Sequence, residues 1–220
     1  MTNRIELREV TKTRGQFRVL DKLSLDVGSN ERVALFGPSG CGKTTALHLI
    51  AGLETPDEGE IFLNGIRVAA AGRNLVRPEH RNLGMVFQDL ALWPHMSVAE
   101  HLDFVLRTRP MPAAARARKT GDMLERVRLG SFARQKPAQL SGGQQQLVAI
   151  ARALVTAPEI VLMDEPLSSV DDELRDHLTG EIVRLQSELE FSLLYVSHNL
   201  QEIHAIGARV IRMRTMRTLG

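Results

Sequence analysis

VALFGPSGCGKT, residues 33–44, sets a short apolar run against a glycine-rich loop that ends in Lys43 and Thr44. An unbroken β-rich run of this kind reads as a strand buried on both faces of a parallel sheet. The loop matches G-x-x-x-x-G-K-[ST] at every fixed position, and TTALHLIAG after it reads as a helix. Strand, loop and helix in that order make a phosphate cradle. Gly37, Pro38, Ser39, Gly40, Cys41 and Gly42 wrap the anion without side-chain collision, and the amides of the loop and of the helix start, Thr45 included, supply positive potential. Lys43 reaches the β and γ phosphates, and Thr44 can ligate magnesium. Cys41 admits two readings, a small residue that fits the loop or an exposed thiolate whose alkylation blocks nucleotide binding.

Three further runs share the character of the first: GMVF (84–87), IVLM (160–163) and LLYV (193–196). Each is followed at once by polar chemistry, namely Gln88, the pair Asp164 and Glu165, and Ser197 with His198. Ligands of open parallel sheets bind outside the carboxyl ends of the strands, so four such ends are expected to converge on one site. There Asp164 is placed to hold magnesium through water, and Glu165 to reach a water beyond the γ phosphate. The amide of Gln88 can touch both the metal and that water, and the imidazole of His198 can donate to the γ phosphate. Taken singly, an acidic pair at a strand end can be a helix cap, and a strand-end Gln or His a satisfied hydrogen-bonding residue.

IELREV, LSLDV and GEIFLNG read as strands of an antiparallel flank near the amino terminus. From about residue 97 to about residue 156 only helical patterns occur: SVAEHLDFVLR with Ser97 as cap, an Ala-rich helix opened by Pro112, and the helix after LSGGQ. A helix over 172–190, a short one in HNLQEIHAIG and a terminal strand follow. The expected organisation is one domain over residues 1–220, with a nucleus of 1–88 and 157–220 and an inserted helical subdomain of 89–156.

With 220 residues, 43% hydrophobic and 25% charged, the chain can bury a large core. A net charge of +2 gives little reason to expect a nucleic-acid partner, and the basic clusters at 107–119 and 208–220 read as solvated faces. The single cysteine excludes an intramolecular disulfide and fits a reducing compartment. The histidines lack zinc-ligand spacing. No secretory profile and no apolar run of membrane-spanning length is found, so no intrinsic membrane insertion is expected.

QLSGGQQQ, residues 139–146, is a second glycine-rich segment able to face a phosphate. With GPSGCGKTT, VFQ, VLMDEP, SSVD and SH in this order, the chain resembles the ATP-binding cassette (ABC) ATPases over nearly its whole length. HRNLGMVFQDLALWPHMSVAEH resembles the importer branch, the ATPase subunits of bacterial solute-uptake systems. The resemblance implies an α/β fold with a P-loop NTPase (RecA-like) nucleus of mainly parallel sheet, an amino-terminal antiparallel β flank and an inserted helical subdomain. It implies ATP and Mg2+ as cofactors, Glu165 assisting hydrolysis, and two cassettes packed head to tail. Ser141, Gly142, Gly143 and Gln144 of one cassette then close over ATP held by the other, with Asp171 in the loop between the sites. Locally, Ser141 and Gln144 have capping-box spacing, which aims free amides at the partner's phosphate, and Gly142 and Gly143 permit close approach. Further implied are a second copy of the chain or a related cassette, transmembrane permease subunits, and a peripheral place on the cytoplasmic face of the inner or plasma membrane. The groove for a permease helix is implied after Gln88, where Leu92 and Trp93 read equally as core between the subdomains.

The chain departs from the family pattern in three places. Arg14 in KTRGQF stands where an aromatic usually stacks on adenine, so either its guanidinium plane or Phe17 serves the base. Leu147 stands where Arg commonly follows LSGGQQQ, which removes a buried charge from the signature helix. The sequence runs 22 residues past His198, so the carboxyl-terminal regulatory domain of many importers is expected to be absent. Competing readings are a non-transport ABC ATPase acting on nucleic acid or ribosomes, an exporter ATPase, and a nucleotide-gated binding module with little turnover. The first lacks its tandem cassette or inserted arm here, and the presence of Glu165 speaks against the last.

Overall fold

The computed structural model describes residues 3–214, so the end of the basic 208–220 segment lies outside the described residues. The elements in chain order are β1 (Asn3–Arg14), β2 (Phe17–Gly28), β3 (Arg32–Phe36), α1 (Lys43–Ala51), β4 (Glu58–Leu63), β5 (Ile66–Ala70), β6 (Arg73–Asn74), β7 (Leu83–Val86), α2 (Val98–Leu106), α3 (Ala113–Arg126), α4 (Gly142–Leu154), β8 (Ile160–Asp164), α5 (Asp172–Leu189), β9 (Ser192–Ser197), α6 (Leu200–Ile206) and β10 (Arg209–Arg212).

All four apolar runs form strands of one parallel sheet, ordered β10-β3-β9-β8-β7. Both faces of this sheet are covered, and strict alternation sorts its side chains between two cores. Ile160, Leu162, Leu194 and Val196 point to the core shared with α1 and the antiparallel strands. Val161, Met163, Leu193 and Tyr195 point to the opposite core, with residues of the helical segment, α5 and α6. Burial on both faces leaves no polar positions in β8 until its last residue, which is why the runs are continuous in sequence. The register aligns the strand ends: Phe36 stands opposite Ser197, Asp164 opposite Val196, and Val86 opposite Met163. The expected convergence of strand ends follows from this register.

The second sheet is antiparallel, ordered β2-β1-β4-β5-β6. β1 and β2 are longer than IELREV and LSLDV alone suggest. Their pairing is interrupted by register shifts, and Glu9 and Lys22, both at φ 47, bend the ribbon and break the alternation that marks a strand. β5 and β6 carry too few buried positions to be read from sequence.

Between β7 and β8 the described residues form only helices, single 3-10 turns and loops. Ser97 caps α2 through a capping box with Glu100, and Pro112 stands at the amino-terminal cap of α3. No described helix is long and apolar enough to cross a membrane.

Candidate nucleotide-binding site

The glycine-rich loop leaves β3 and enters α1 at Gly42, whose φ of 97 belongs to the left-handed region. A Cβ there would meet Leu20 Cδ2 at 2.7 Å and Val19 O at 2.8 Å, so the position requires glycine. No side chain caps α1, and its first amides are left for another acceptor. The Lys43 side chain is 5% exposed and folds back over the loop, its Nζ donating to Gly37 O (2.8 Å) and Pro38 O (3.1 Å). Thr44 Oγ1 donates to Asp164 Oδ1 at 3.1 Å across 120 residues of sequence. Burial pushes the Asp164 carboxyl above its usual range, opposed by the Thr44 hydroxyl and by His48. A buried carboxylate with one hydroxyl donor beside an amide-lined loop suits a hard cation shared with an anionic ligand.

Glu165 adopts φ 43, and its N–H donates to Val196 O at 3.0 Å. That backbone turns the side chain off the end of β8 and into the loop. One carboxylate oxygen lies 3.9 Å from Lys43 Nζ, and the other accepts from His198 Nδ1 at 3.1 Å. The acidic pair therefore is not a helix cap, because its two members diverge toward Thr44 and toward Lys43 with His198.

Of the residues expected at the site, Arg14, Ser39, Gly40, Gly42, Lys43, Thr44, Thr45, Gln88 and Glu165 line one cavity of about 460 Å³, joined by Val19 and His48. Asp164 reaches it through Thr44. Gly37 and Pro38 hold Lys43 with their carbonyls. Cys41 lies behind the loop at 2% exposure, which removes the exposed-thiolate reading and leaves that of a small residue that fits. His198 borders a smaller cavity on the far side of Glu165, together with Arg175, Ser197, Asn199 and Glu202. Among the described residues no three His, Cys, Asp or Glu side chains gather to hold a metal. The oxygen donors of Thr44, Asp164 and Gln88 fit magnesium only with phosphate oxygens and water to complete its shell.

Arg14 sits opposite Phe17 at the tip of the β1–β2 hairpin and pairs with Glu54 at 2.5 Å, while Glu54 also meets His48 Nδ1 at 3.1 Å. The guanidinium is thus tethered at the cavity edge, whereas Phe17 is 60% exposed and is not among the lining residues.

The second glycine-rich segment lies elsewhere, and Ser141 through Gln144 do not line the cavity. Ser141 caps α4, accepting from Gln144 N at 3.3 Å, while Ser141 N–H donates to Gln144 Oε1 at 2.9 Å. Gly142 has open space around it. A Cβ on Gly143 would instead meet Leu174 Cδ1 at 2.8 Å, so this glycine also lies against a side chain of its own chain. Asp171 caps α5, accepting from Leu174 N at 2.9 Å, which ties the two segments to one contact. Gln146 Nε2 donates to Pro166 O at 2.7 Å and links α4 to the residue after Glu165. Leu147 packs against the apolar core, and the buried charge of this helix is carried by Arg152.

An apolar groove of about 280 Å³ lies on the other side of β7, lined among others by Met85, Phe87, Trp93, Val105 and Arg152. Leu92 packs against the core while Trp93 lines the groove. Sequence reasoning passed over Arg152, Gln146, His48 and Glu54. An arginine inside the apolar stretch AIARALV was the one available signal.

Residues 20–168 match the family described as ABC transporter. The chain is 43% identical over 207 residues to a spermidine/putrescine import ATP-binding protein of Legionella pneumophila, covering 94% of this chain and 56% of the relative. It is 46% identical over 211 residues to the corresponding protein of Nitratidesulfovibrio vulgaris, covering 96% of this chain and again 56% of the relative. The chain thus spans about half the length of the curated relatives it matches. Among solved structures, the dimeric bacterial ABC transporter cassette MJ0796 superposes with a TM-score of 0.83 at 31% identity, covering 98% of this chain and 97% of that one. A dimeric post-hydrolysis state of MJ0796 bound to ADP and Pi gives 0.82 at 30% identity, with 97% of each chain covered. The family match and the shared fold agree, and the chain belongs to the ABC transporter family as one of its ATP-binding cassettes.

Proposed function

We propose that this chain binds and hydrolyses ATP as the energy-coupling subunit of a solute importer, working as a dimer of cassettes beneath transmembrane permease subunits on the cytoplasmic face of the membrane. The observation that carries the chemistry is the placement of Glu165 at the end of β8, between Lys43 and His198 and next to the Thr44–Asp164 pair. Lys43 and the amides of residues 37–45 bind the phosphates, and Arg14 with its Glu54 tether borders the base. Thr44, Gln88 and Asp164 would hold magnesium, which neutralises phosphate oxygens when bound. Glu165 accepts the proton of the attacking water, and His198, held by Glu165 through Nδ1, offers an Nε2–H to the γ phosphate only when both ring nitrogens carry a proton. Ser141, Gly142, Gly143 and Gln144 present the start of α4 to nucleotide on the partner cassette, with Asp171 at the seam.

The arrangement divides into a nucleus of residues 1–88 and 157–220 and a helical subdomain of 89–156. The groove beside Trp93 offers the apolar surface on which a permease helix docks. Import is supported by relatives named for spermidine/putrescine import. Glu165→Gln should lower ATP turnover by roughly 10² to 10⁴ while retaining ATP binding, because only proton acceptance is lost. The same variant should accumulate an ATP-bound dimer by light scattering. Near-normal turnover would remove Glu165 from this role.

A further inference from the structure

Two positions after Gln88, the consecutive non-glycine residues Leu90 (φ 59) and Ala91 (φ 44) lie in the left-handed region. L-residues rarely adopt that conformation, and two in a row persist only where their surroundings impose it. Leu90 N–H donates to Phe87 O at 3.0 Å, which closes a turn around Gln88. From the other side comes Arg152, near the end of α4. Its Nη2 donates to Leu90 O at 2.7 Å and its Nη1 to Ala91 O at 2.5 Å.

Arg152 is 7% exposed and forms no ion pair among the described residues, with Asp89 acting on it only at longer range. A buried guanidinium that spends its donors on the carbonyls of a strained turn is more than packing. Its plane also lies 5.3 Å from the ring of Trp93, and Trp93 is fixed in turn by His101. The backbone N–H of Trp93 donates to His101 Nε2 at 2.9 Å, and His101 Nδ1–H donates to Ser97 O at 2.7 Å. One guanidinium therefore joins the turn that carries Gln88, the wall of the apolar groove and the signature helix.

We propose that Arg152 is a positioning residue for Gln88: it latches the Leu90–Ala91 turn in its left-handed form and so presents Gln88 to the nucleotide cavity, with Trp93 following the state of the latch. The catalytic half of this inference rests on the ATPase reading above. Losing the latch lets the turn relax, withdraws Gln88 and loosens Trp93 together.

The test uses the full chain with Arg152→Met, Arg152→Lys, Gln88→Ala and the double variant Gln88→Ala/Arg152→Met. Arg152→Met should lower kcat about tenfold or more with little change in the KM for ATP, and Arg152→Lys should recover part of the loss. The double variant should be no slower than Gln88→Ala alone, since the two residues act through one interaction. Emission from Trp93, the only tryptophan of the chain, should shift in nucleotide-free Arg152→Met. Full additivity of the two losses, or an unchanged kcat with unchanged Trp93 emission, overturns the latch. Should Arg152→Met fail to fold, the same additivity comparison with Arg152→Lys decides the matter. A wild-type protein without ATP turnover would sink the ATPase reading alone, because the nucleotide-free Trp93 comparison still reports on the latch.

Discussion

The two glycine-rich segments put helix amino termini in opposite situations. α1 starts at Gly42 without a side-chain cap, and Lys43, Thr44, Asp164 and Glu165 of the same chain surround its free amides. α4 starts at Ser141 with a complete capping box, has open space at Gly142, and has none of those groups among its hydrogen-bond partners. The first end is a site built within one chain, with a ligand to complete it. The second is satisfied by its own cap and leaves the Ser141 hydroxyl exposed. Similar sequence chemistry thus yields a whole site in one place and, in the reading proposed above, half a site in the other.

Ser141→Arg would break this contrast most severely. It should leave ATP binding intact yet abolish hydrolysis and ATP-driven dimer closure, as measured by equilibrium nucleotide binding, phosphate release and light scattering. Hydrolysis at the wild-type rate would mean that the start of α4 has no part in the reaction.

The paired glycines sharpen the contrast at a smaller scale. Gly143→Ala presses a methyl on the end of the Leu174 side chain, which must shift, and should therefore be less stabilising than Gly142→Ala in urea titrations. Gly142→Ala, with free space around it and better helix propensity, should be neutral or stabilising by up to about 1 kcal/mol. Equal effects at both positions would show that the Leu174 contact is not selective.

The smallest expected effect concerns the support beneath His198. Glu202 is buried and bonded to the Tyr195 hydroxyl, and burial holds its carboxyl above the usual range against the pull of Tyr195, Ser197 and Arg175. The folded chain therefore binds this proton more tightly than the unfolded one. The contribution is fully present below the unfolded pKa and is lost as pH rises through the folded one. Glu202→Gln, which cannot ionise, should melt at a higher temperature than wild type in neutral buffer, with the difference closing near about pH 4. A difference that grows on acidification would reverse the assignment.

How much of this was legible in sequence depended on how far apart the interacting residues lie. The four strands were readable because burial on both faces leaves them continuously apolar, and the loop because its spacing is local. The capping box of Ser141 and Gln144 was readable for the same reason. β5 and β6 were not, since a short flank strand buries too little to show a period. Nor were Arg152 on Leu90 and Ala91 or Gly143 against Leu174, because those contacts join residues about 60 and about 30 positions apart. Gly143 shows the limit: its glycine was foreseen, but the neighbour packed against it was not.

α4 is held to the rest of the fold near its start by Gly143 against Leu174, midway by Gln146 on Pro166, and near its end by Arg152 on Leu90 and Ala91. Thirteen helical residues make a strut about 20 Å long. A strut pinned at three points transmits a push as a shift of the whole rod and has little freedom to absorb it by bending. The stiffness of this one helix, more than the strength of any single bond, would then set how faithfully an event at one end of the molecule is timed to an event at the other.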